Sequence, residues 1–455
     1  MDRRTAFKAF AGGAAAGMFT LGESREAYAQ AARTAPNVAA GAQDLVRRGL
    51  PPLKITDIKV YSLAVGNQNL CVCKVFTSEP GLYGVGDGNH AERPLLVAET
   101  IEKYIKPFVV GRNVDEIEKI WQELWVAPYW RASVDANNAM SAVDGALWDI
   151  MGKRAGMPVH DLLGGKVRDG LRMMKDIQSP SPQAMEDAIR AGMADGYEHF
   201  RIYLGGGGGE DAAGARPGAA PRPANAAGGP PKTNDGAYIN QLCRAFEYIR
   251  DKISWDIDIG HDVHEKPSPQ GALVLAKAVE KYRPFFIEDL FAPEDSEWYK
   301  IVRQQSGIGI AMGELFVNQN EWLPLVSNRL IDFMRMHISA GGGLSLARKV
   351  AHCCEFFGVR TAWHGPTNVS PIGHAVNLHL DLSIFNFGIC EGREFNAQYQ
   401  ELFPGCPEIR KGVRYANSQP GLGIDINEKV IAKYPPIGDG SNRGAKDSEG
   451  APSRP

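Results

Sequence analysis

Three apolar runs in this chain reach an acid at one fixed interval. "DIDIGHD" ends on Asp262, "FFIED" carries Glu288 and "IAMGE" ends on Glu314. Twenty-six residues separate each acid from the next, about the length of one strand, one helix and their two loops. The acids therefore belong to successive strands of a parallel sheet, at the same height. In a parallel barrel the C-terminal strand ends form the active-site face. Three carboxylates converging there repel one another unless a cation sits among them. An all-oxygen set selects a hard ion, Mg²⁺ before Mn²⁺ or Ca²⁺. A single acid at such a junction reads as a helix cap or a surface residue. Three in equal register favour the metal.

The surrounding pattern supports a barrel. From about Leu171 short apolar runs alternate with amphipathic helices: "LRMMKD", "HFRIYL", "DIDIGHD", "FFIED", "IAMGE", "DFMRM", "RTAWH" and "FNFGICE". Repeated strand–helix units imply a parallel sheet, and eight of them imply closure. Ahead of them, "KITDIKVYSLAV" and "LCVCKVFTSEPGLYGVGDG" read as strands. "RPLLVAETIEKYIKPFVV" and "NVDEIEKIWQELWV" have helical periodicity, which makes a small α+β domain. Residues 30–52 read as a linker. Residues 205–236 form a Gly/Ala/Pro-rich insertion after the second strand and 437–455 a tail, neither able to bury a core.

The first 29 residues read as an export signal. Arg3 and Arg4 precede a small apolar run, and "AYA" at 27–29 fits a small-x-small cleavage site. The expectation is periplasmic localisation by the twin-arginine pathway. The run is too short and too rich in Gly and Ala to span a membrane. With 455 residues and a formal net charge of -3, nothing points to nucleic acid. The seven cysteines have no framework spacing and read as core thiols.

Taken together, these motifs resemble the enolase superfamily in its mandelate-racemase-like branch, over nearly the whole span from Lys54 to Pro436. "SAVDGALWDIMGKRAGMPVHDLLGG" (141–165) is similar to the segment leading into the barrel, and "HDVHEK", "FFIEDL" and "AMGEL" to the three metal-ligand motifs. "AGGG" (340–343), "WHGPTNVSP" (363–371) and "FNFGICE" (385–391) most resemble mannonate dehydratases and related acid-sugar dehydratases. The resemblance implies an α/β fold, a modified (β/α)7β TIM-like barrel at 166–391 with an N-terminal α+β capping domain at 53–165 that residues 392–436 complete. It implies Mg²⁺ on Asp262, Glu288 and Glu314, a small acid-sugar ligand, no membrane partner and a homo-oligomer. It also implies proton abstraction α to the carboxylate, an enediolate, and loss of the β-hydroxyl to a 2-keto-3-deoxy acid. His264 would be the acid for the leaving hydroxyl. His364 and a Tyr203 lowered by Arg201 compete for the role of base. Glu391, protonated so as to donate, would bind substrate with Arg335 and Asn89.

The chain departs from that pattern in places. Racemases of the branch carry Lys-x-Lys on the second strand, where this chain has Arg201 and Tyr203. The Asp that pairs with the seventh-strand His in many relatives is His337 here. The loop after strand two holds no tyrosine, and neither Tyr203 nor Tyr238 is its clear equivalent. An epimerase or cycloisomerase, and a non-catalytic periplasmic sugar-acid binder, are the competing readings at this stage.

Overall fold

The computed structural model describes residues 52–66, 68–89, 93–179, 181–204, 234–366 and 368–437. The export signal, nearly all of the linker, residues 205–233 of the insertion and all but the first residue of the tail lie outside the described residues.

The cap begins with an antiparallel sheet of β1 (Ile55–Val65), β2 (Gln68–Thr77) and β3 (Tyr83–Asp87), in that order. β2 is buried on both faces. Cys71, Cys73 and Val75 pack with the cap helices, while Leu70 and Val72 join the barrel-side core. The sheet is held by α1 (Val134–Ala155), capped by Ser133 at its start and by Gly156 in the left-handed region (φ 68) at its end. α1 is buried on nearly every side, because it lies between cap sheet and barrel. Gly84 and Gly86 make that approach possible. A Cβ on Gly86 would lie 1.7 Å from the Ala142 carbonyl oxygen, and one on Gly84 2.0 Å from that of Ala146.

A short strand β4 (Leu171–Arg172) leads into a seven-stranded parallel sheet. Its strands are β5 (Met174–Gln178), β6 (His199–Tyr203), β7 (Asp258–Asp262), β8 (Phe286–Glu288), β9 (Ile310–Met312), β10 (Phe333–Met334) and β11 (Arg360–Thr361), paired in sequence order. The eighth expected run forms no ladder. It closes the ring through single bridges, Thr361 to Phe387 and Met173 to Cys390. Gly388 there fits against the Phe333 ring, where a Cβ would meet Cδ1 at 2.9 Å. Met174, Phe286, Ala311, Phe333, Ala362 and Ile389 plug the barrel interior, leaving its C-terminal end for polar groups. The first strand-to-helix return ends earlier than the composition suggests. Asn234 caps α2 (Asp235–Lys252) by accepting from the Ala237 amide at 2.8 Å, so residues 234–236 are helix start rather than insertion.

The C-terminal residues bind both parts. β12 (Glu408–Arg410) and β13 (Val413–Tyr415) extend β4 as an antiparallel sheet. Buried Lys74 of β2 pairs with Asp425 at 3.1 Å and Glu428 at 3.2 Å. The barrel grips the cap through "AGGG" and the residues just after it: the Trp121 indole donates to the Gly342 carbonyl at 2.7 Å, Asn137 donates to the Ala340 carbonyl at 2.7 Å, and the Ser345 amide donates to Asp144 at 2.9 Å. All seven cysteines are free thiols, and Cys71, Cys73, Cys354 and Cys390 are buried. Among the described residues no helix is long and apolar enough to cross a membrane.

Gly86→Ala should therefore cost about 3 kcal/mol, since backbone on both sides leaves nothing flexible to yield. Chemical denaturation measures this, and a variant as stable as the parent would contradict the close approach.

Candidate active site

Just above the apolar plug, four charged side chains close into a ring. Arg201 on β6 donates to Glu288 at 2.9 Å and also to Glu391. Arg335, just after β10, donates to Glu288 at 2.6 Å and to Glu391 at 2.6 Å. All four are at most 2% exposed. Arg201 takes a second carboxylate, Asp176 on β5, at 2.8 and 3.0 Å, and the Gly365 amide donates to Glu391 at 2.8 Å. Inward-pointing positions of neighbouring strands stack in layers, which brings residues of five strand ends to one level.

This ring corrects two expectations. Although burial works against it, Arg201 and Arg335 hold Glu391 well below the usual carboxylate range. Glu391 is an ionised acceptor and has no proton to donate. Arg335 is committed to the ring and to the Ala362 carbonyl at 2.8 Å, so neither residue presents a free polar atom to substrate. Asn89 is spent as well: it accepts from the Cys71 amide at 2.7 Å and donates to the Asn368 carbonyl.

Above the ring two of the three expected carboxylates, Asp262 and Glu288, gather with a third acid that was not expected, and Glu314 is not among the three. Asp262, Glu288 and Asp289 each bring an oxygen within 4.8 Å of the others, and all three are buried. Asp289 was not legible as a site residue, because adjacent strand positions point to opposite faces. Its φ of +47° puts it in the left-handed region and turns its carboxylate to the same side as Glu288. The group fits a hard cation. Asp262 Oδ1 and Asp289 Oδ1 are buried without a hydrogen-bond partner. Burial pushes Glu288 up to about 7 against the pull of Arg335 and Arg201. Burial, then Glu314 and Glu288, push Asp289 well above its ordinary value. Orphaned acceptors and mutually repelling acids are what a divalent ion relieves.

Glu314 lies beside this group, two residues past β9. Its Oε1 is 3.0 Å from His264 Nε2 and its Oε2 is 3.1 Å from His364 Nε2. Burial works to raise Glu314, but His364 and His264 outweigh it and leave it ionised. Asp262 and then Glu314 push His264 up to about 11. His264 is not on the strand, which ends at Asp262; it reaches the site from a turn with φ 55. Burial lowers His364, which stays a neutral imidazole. His337 stands where relatives keep an acid, and its Nδ1 is 2.8 Å from His364 Nδ1. Tyr203 does not serve as a lowered phenol. Burial raises it well above its usual value and outweighs Arg201, which lies 5.1 Å from the ring centre. Tyr238 bonds His261 at 2.7 Å, on the strand face opposite Asp262.

A ring of strands topped by such a cluster defines an enolase-type barrel, and comparisons with known proteins agree. Residues 183–430 match the enolase C-terminal domain-like family, and residues 46–164 match the mandelate racemase/muconate lactonizing enzyme N-terminal domain. A D-galactonate dehydratase family member of Pantoea ananatis, RspA, is 46% identical over 84% of this chain and 94% of its own length. Another from Salmonella enteritidis is 47% identical over the same shares. A crystal structure of an enolase from Pantoea ananatis with bound D-gluconate and Mg superposes with a TM-score of 0.83 at 44% identity, covering 89% of this chain and all of that one. The chain belongs to the enolase superfamily, in its mandelate racemase/muconate lactonizing branch, among the D-galactonate dehydratase family. It is an enzyme, a hydro-lyase.

The raised Glu288 sets a pH dependence. Below about 7 the metal-free protein holds a proton there, and a cation needs the carboxylate. Binding then releases a proton, so affinity for Mg²⁺ should rise as pH rises through about 7, and the raised Asp289 acts in the same direction. Calorimetry in buffers of different ionisation enthalpy reads the proton directly. Zero release at about pH 6 would show that Glu288 is already ionised.

Proposed function

We propose that this enzyme is a magnesium-dependent dehydratase of acid sugars, acting on an aldonic acid of the gluconate or mannonate type. The observation that carries the reading is Glu314 holding two histidines, one cationic and one neutral, beside a buried carboxylate cluster. Asp262, Glu288 and Glu314 are the proposed ligands, with Asp289 close enough to share the site. When bound, Mg²⁺ supplies positive charge against the negative charge that builds on the substrate carboxyl group. The gluconate and Mg in the Pantoea ananatis structure support this choice of ligand class.

The chain's own residues divide the proton work. His364 takes the α-proton at Nε2 in the neutral tautomer that carries its hydrogen on Nδ1, toward His337, because burial keeps the ring neutral. His264 gives its Nε2 proton to the departing β-hydroxyl, because Asp262 and Glu314 keep it charged. Glu314 accepts from His264 Nε2 on one oxygen and lies beside His364 Nε2 on the other. Water leaves, and the resulting enol becomes a 2-keto-3-deoxy acid. Arg201 and Arg335 fix Glu288 and contribute no proton. With Tyr203 held protonated, His364 is the base of the two candidates.

A panel of aldonic and uronic acids, assayed with and without Mg²⁺ for 2-keto-3-deoxy products, tests the activity. His364→Asn should lose α-proton exchange in D₂O and dehydration together, by at least about a hundredfold. His264→Asn should keep exchange and lose dehydration. Wild-type exchange in His364→Asn would remove His364 from the role of base.

Export to the periplasm is part of the same proposal, supported by Arg3, Arg4, the apolar run and "AYA" at 27–29. Replacing the pair by Arg3→Lys and Arg4→Lys should leave the protein in the cytoplasmic fraction. Unchanged periplasmic recovery would count against that pathway. A homo-oligomer is proposed from the resemblance to the superfamily, and light scattering reads it.

A further inference from the structure

A third arginine is buried beside the ring, and no acid meets it. Arg414 on β13 is 0% exposed, and among the described residues no carboxylate pairs with it. Its Nη1 donates to His374 Nδ1 at 3.0 Å and, longer, to the Glu391 carbonyl at 3.5 Å. Its Nη2 donates to the Arg393 carbonyl at 2.9 Å. A buried cation with only neutral partners is costly, and an apolar side chain would fill such a place at less cost. What the guanidinium adds is direction, because its planar fork donates along fixed lines to several acceptors at once. The fork is itself anchored: β13 pairs with β4 at the barrel's entry, Arg414 opposite Leu171.

The acceptors converge on one stretch of backbone. Glu391, Gly392 and Arg393 run off the last barrel run, and Gly392 sits at φ +142. A Cβ there would lie 2.5 Å from Arg414 Nη2, 2.7 Å from Nη1 and 2.9 Å from His374 Cε1. Guanidinium and imidazole thus fill the space that a side chain at 392 would take. His374 stands on the helix Pro371–Ser383 and reaches the neighbouring strand end as well. A Cβ on Gly365 would meet His374 Cε1 at 3.1 Å and the Glu391 carbonyl oxygen at 3.0 Å. Burial, then Arg414, hold His374 well below its ordinary value, so the ring is neutral and accepts at Nδ1.

The same backbone carries Glu391 into the active site. The Gly365 amide donates to the Glu391 carboxylate at 2.8 Å, and Gly365 directly follows His364. A shift of the 391–393 backbone would move that carboxylate within the ring and loosen the amide next to His364.

We propose that Arg414 and His374 are positioning residues: together they pin the backbone at Glu391–Arg393, and through Glu391 and the Gly365 amide they fix where His364 stands. Neither touches substrate. The inference ties the C-terminal segment to the placement of the base. Its kinetic consequence rests on the reading of His364 as base, and its geometric one does not.

Two variants and a control test it in the full chain loaded with Mg²⁺. Arg414→Lys keeps the charge and loses the fork. His374→Phe keeps the bulk of the ring and loses the acceptor. The control, Arg250→Lys, makes the first change at another buried arginine, which donates to the Tyr282 carbonyl at 2.9 Å and the Ile257 carbonyl at 2.8 Å, at the opposite end of the strands. All three should lower Tm. Only Arg414→Lys and His374→Phe should speed hydrogen exchange of the Gly365 amide, by about tenfold. The same two should lower kcat for α-proton exchange about tenfold while KM stays within about twofold. Gly365 exchange at the wild-type rate in both variants overturns the proposal. Equal acceleration in Arg250→Lys overturns it too, since general loosening would then explain the effect. Acceleration in only one of the two variants overturns the pairing, and faster exchange with kcat unchanged overturns the link to His364. Amide exchange needs no turnover, so a wild type inactive on every acid sugar would sink the dehydratase reading and leave this test standing.

Discussion

Four buried charges hold the catalytic end of this barrel together. Arg201, Glu288, Arg335 and Glu391 alternate in sign around a closed ring, each bonded to two others. Burying one such charge alone is prohibitive, and removing one partner strands the rest. The ring is tolerable because every member is satisfied, and it is rigid for the same reason. It draws its members from four strand ends, so the strands cannot slide without breaking it. Glu288 belongs both to this ring and to the carboxylate cluster above it. The two arginines thereby lessen the charge that Glu288 shows to a cation, and they fix where its oxygens point.

Much of this was legible in the chain because it depends on order along the sequence. Equal spacing of Asp262, Glu288 and Glu314 follows from strand–helix repetition, and the structure puts them at neighbouring strand ends. What escaped depends on local backbone or on convergence. Asp289 joins the cluster through a left-handed φ that no pattern of apolar residues reveals. The ionised state of Glu391 follows from two arginines that are 134 residues apart in sequence and adjacent in space. Tyr203 reads as an activated phenol beside Arg201, yet its burial outweighs that neighbour. His337 reads as the loss of a carboxylate partner, whereas the structure shows another imidazole in bonding contact with His364.

The cap and barrel are joined by tightly fitted backbone as much as by apolar area. Glycines at 84 and 86 admit α1, and those at 342 and 343 sit at φ 117 and 105 under Trp121 and Asp144. The motif "AGGG", read as a family mark, has a mechanical reason: side chains there would push the cap away. Asp144 completes the joint by accepting from the Ser345 amide and hydroxyl.

The pairing of the C-terminal strands bears on how the chain comes to be folded. β4, at the barrel's entry, is paired by β13, the ring closes at Cys390, and among the described residues Lys74 in the cap pairs with Asp425 and Glu428. Each early element therefore waits on partners from the end of the chain. Order in the cap and at the barrel's seam is therefore shared along the chain, each completed by residues far from it in sequence.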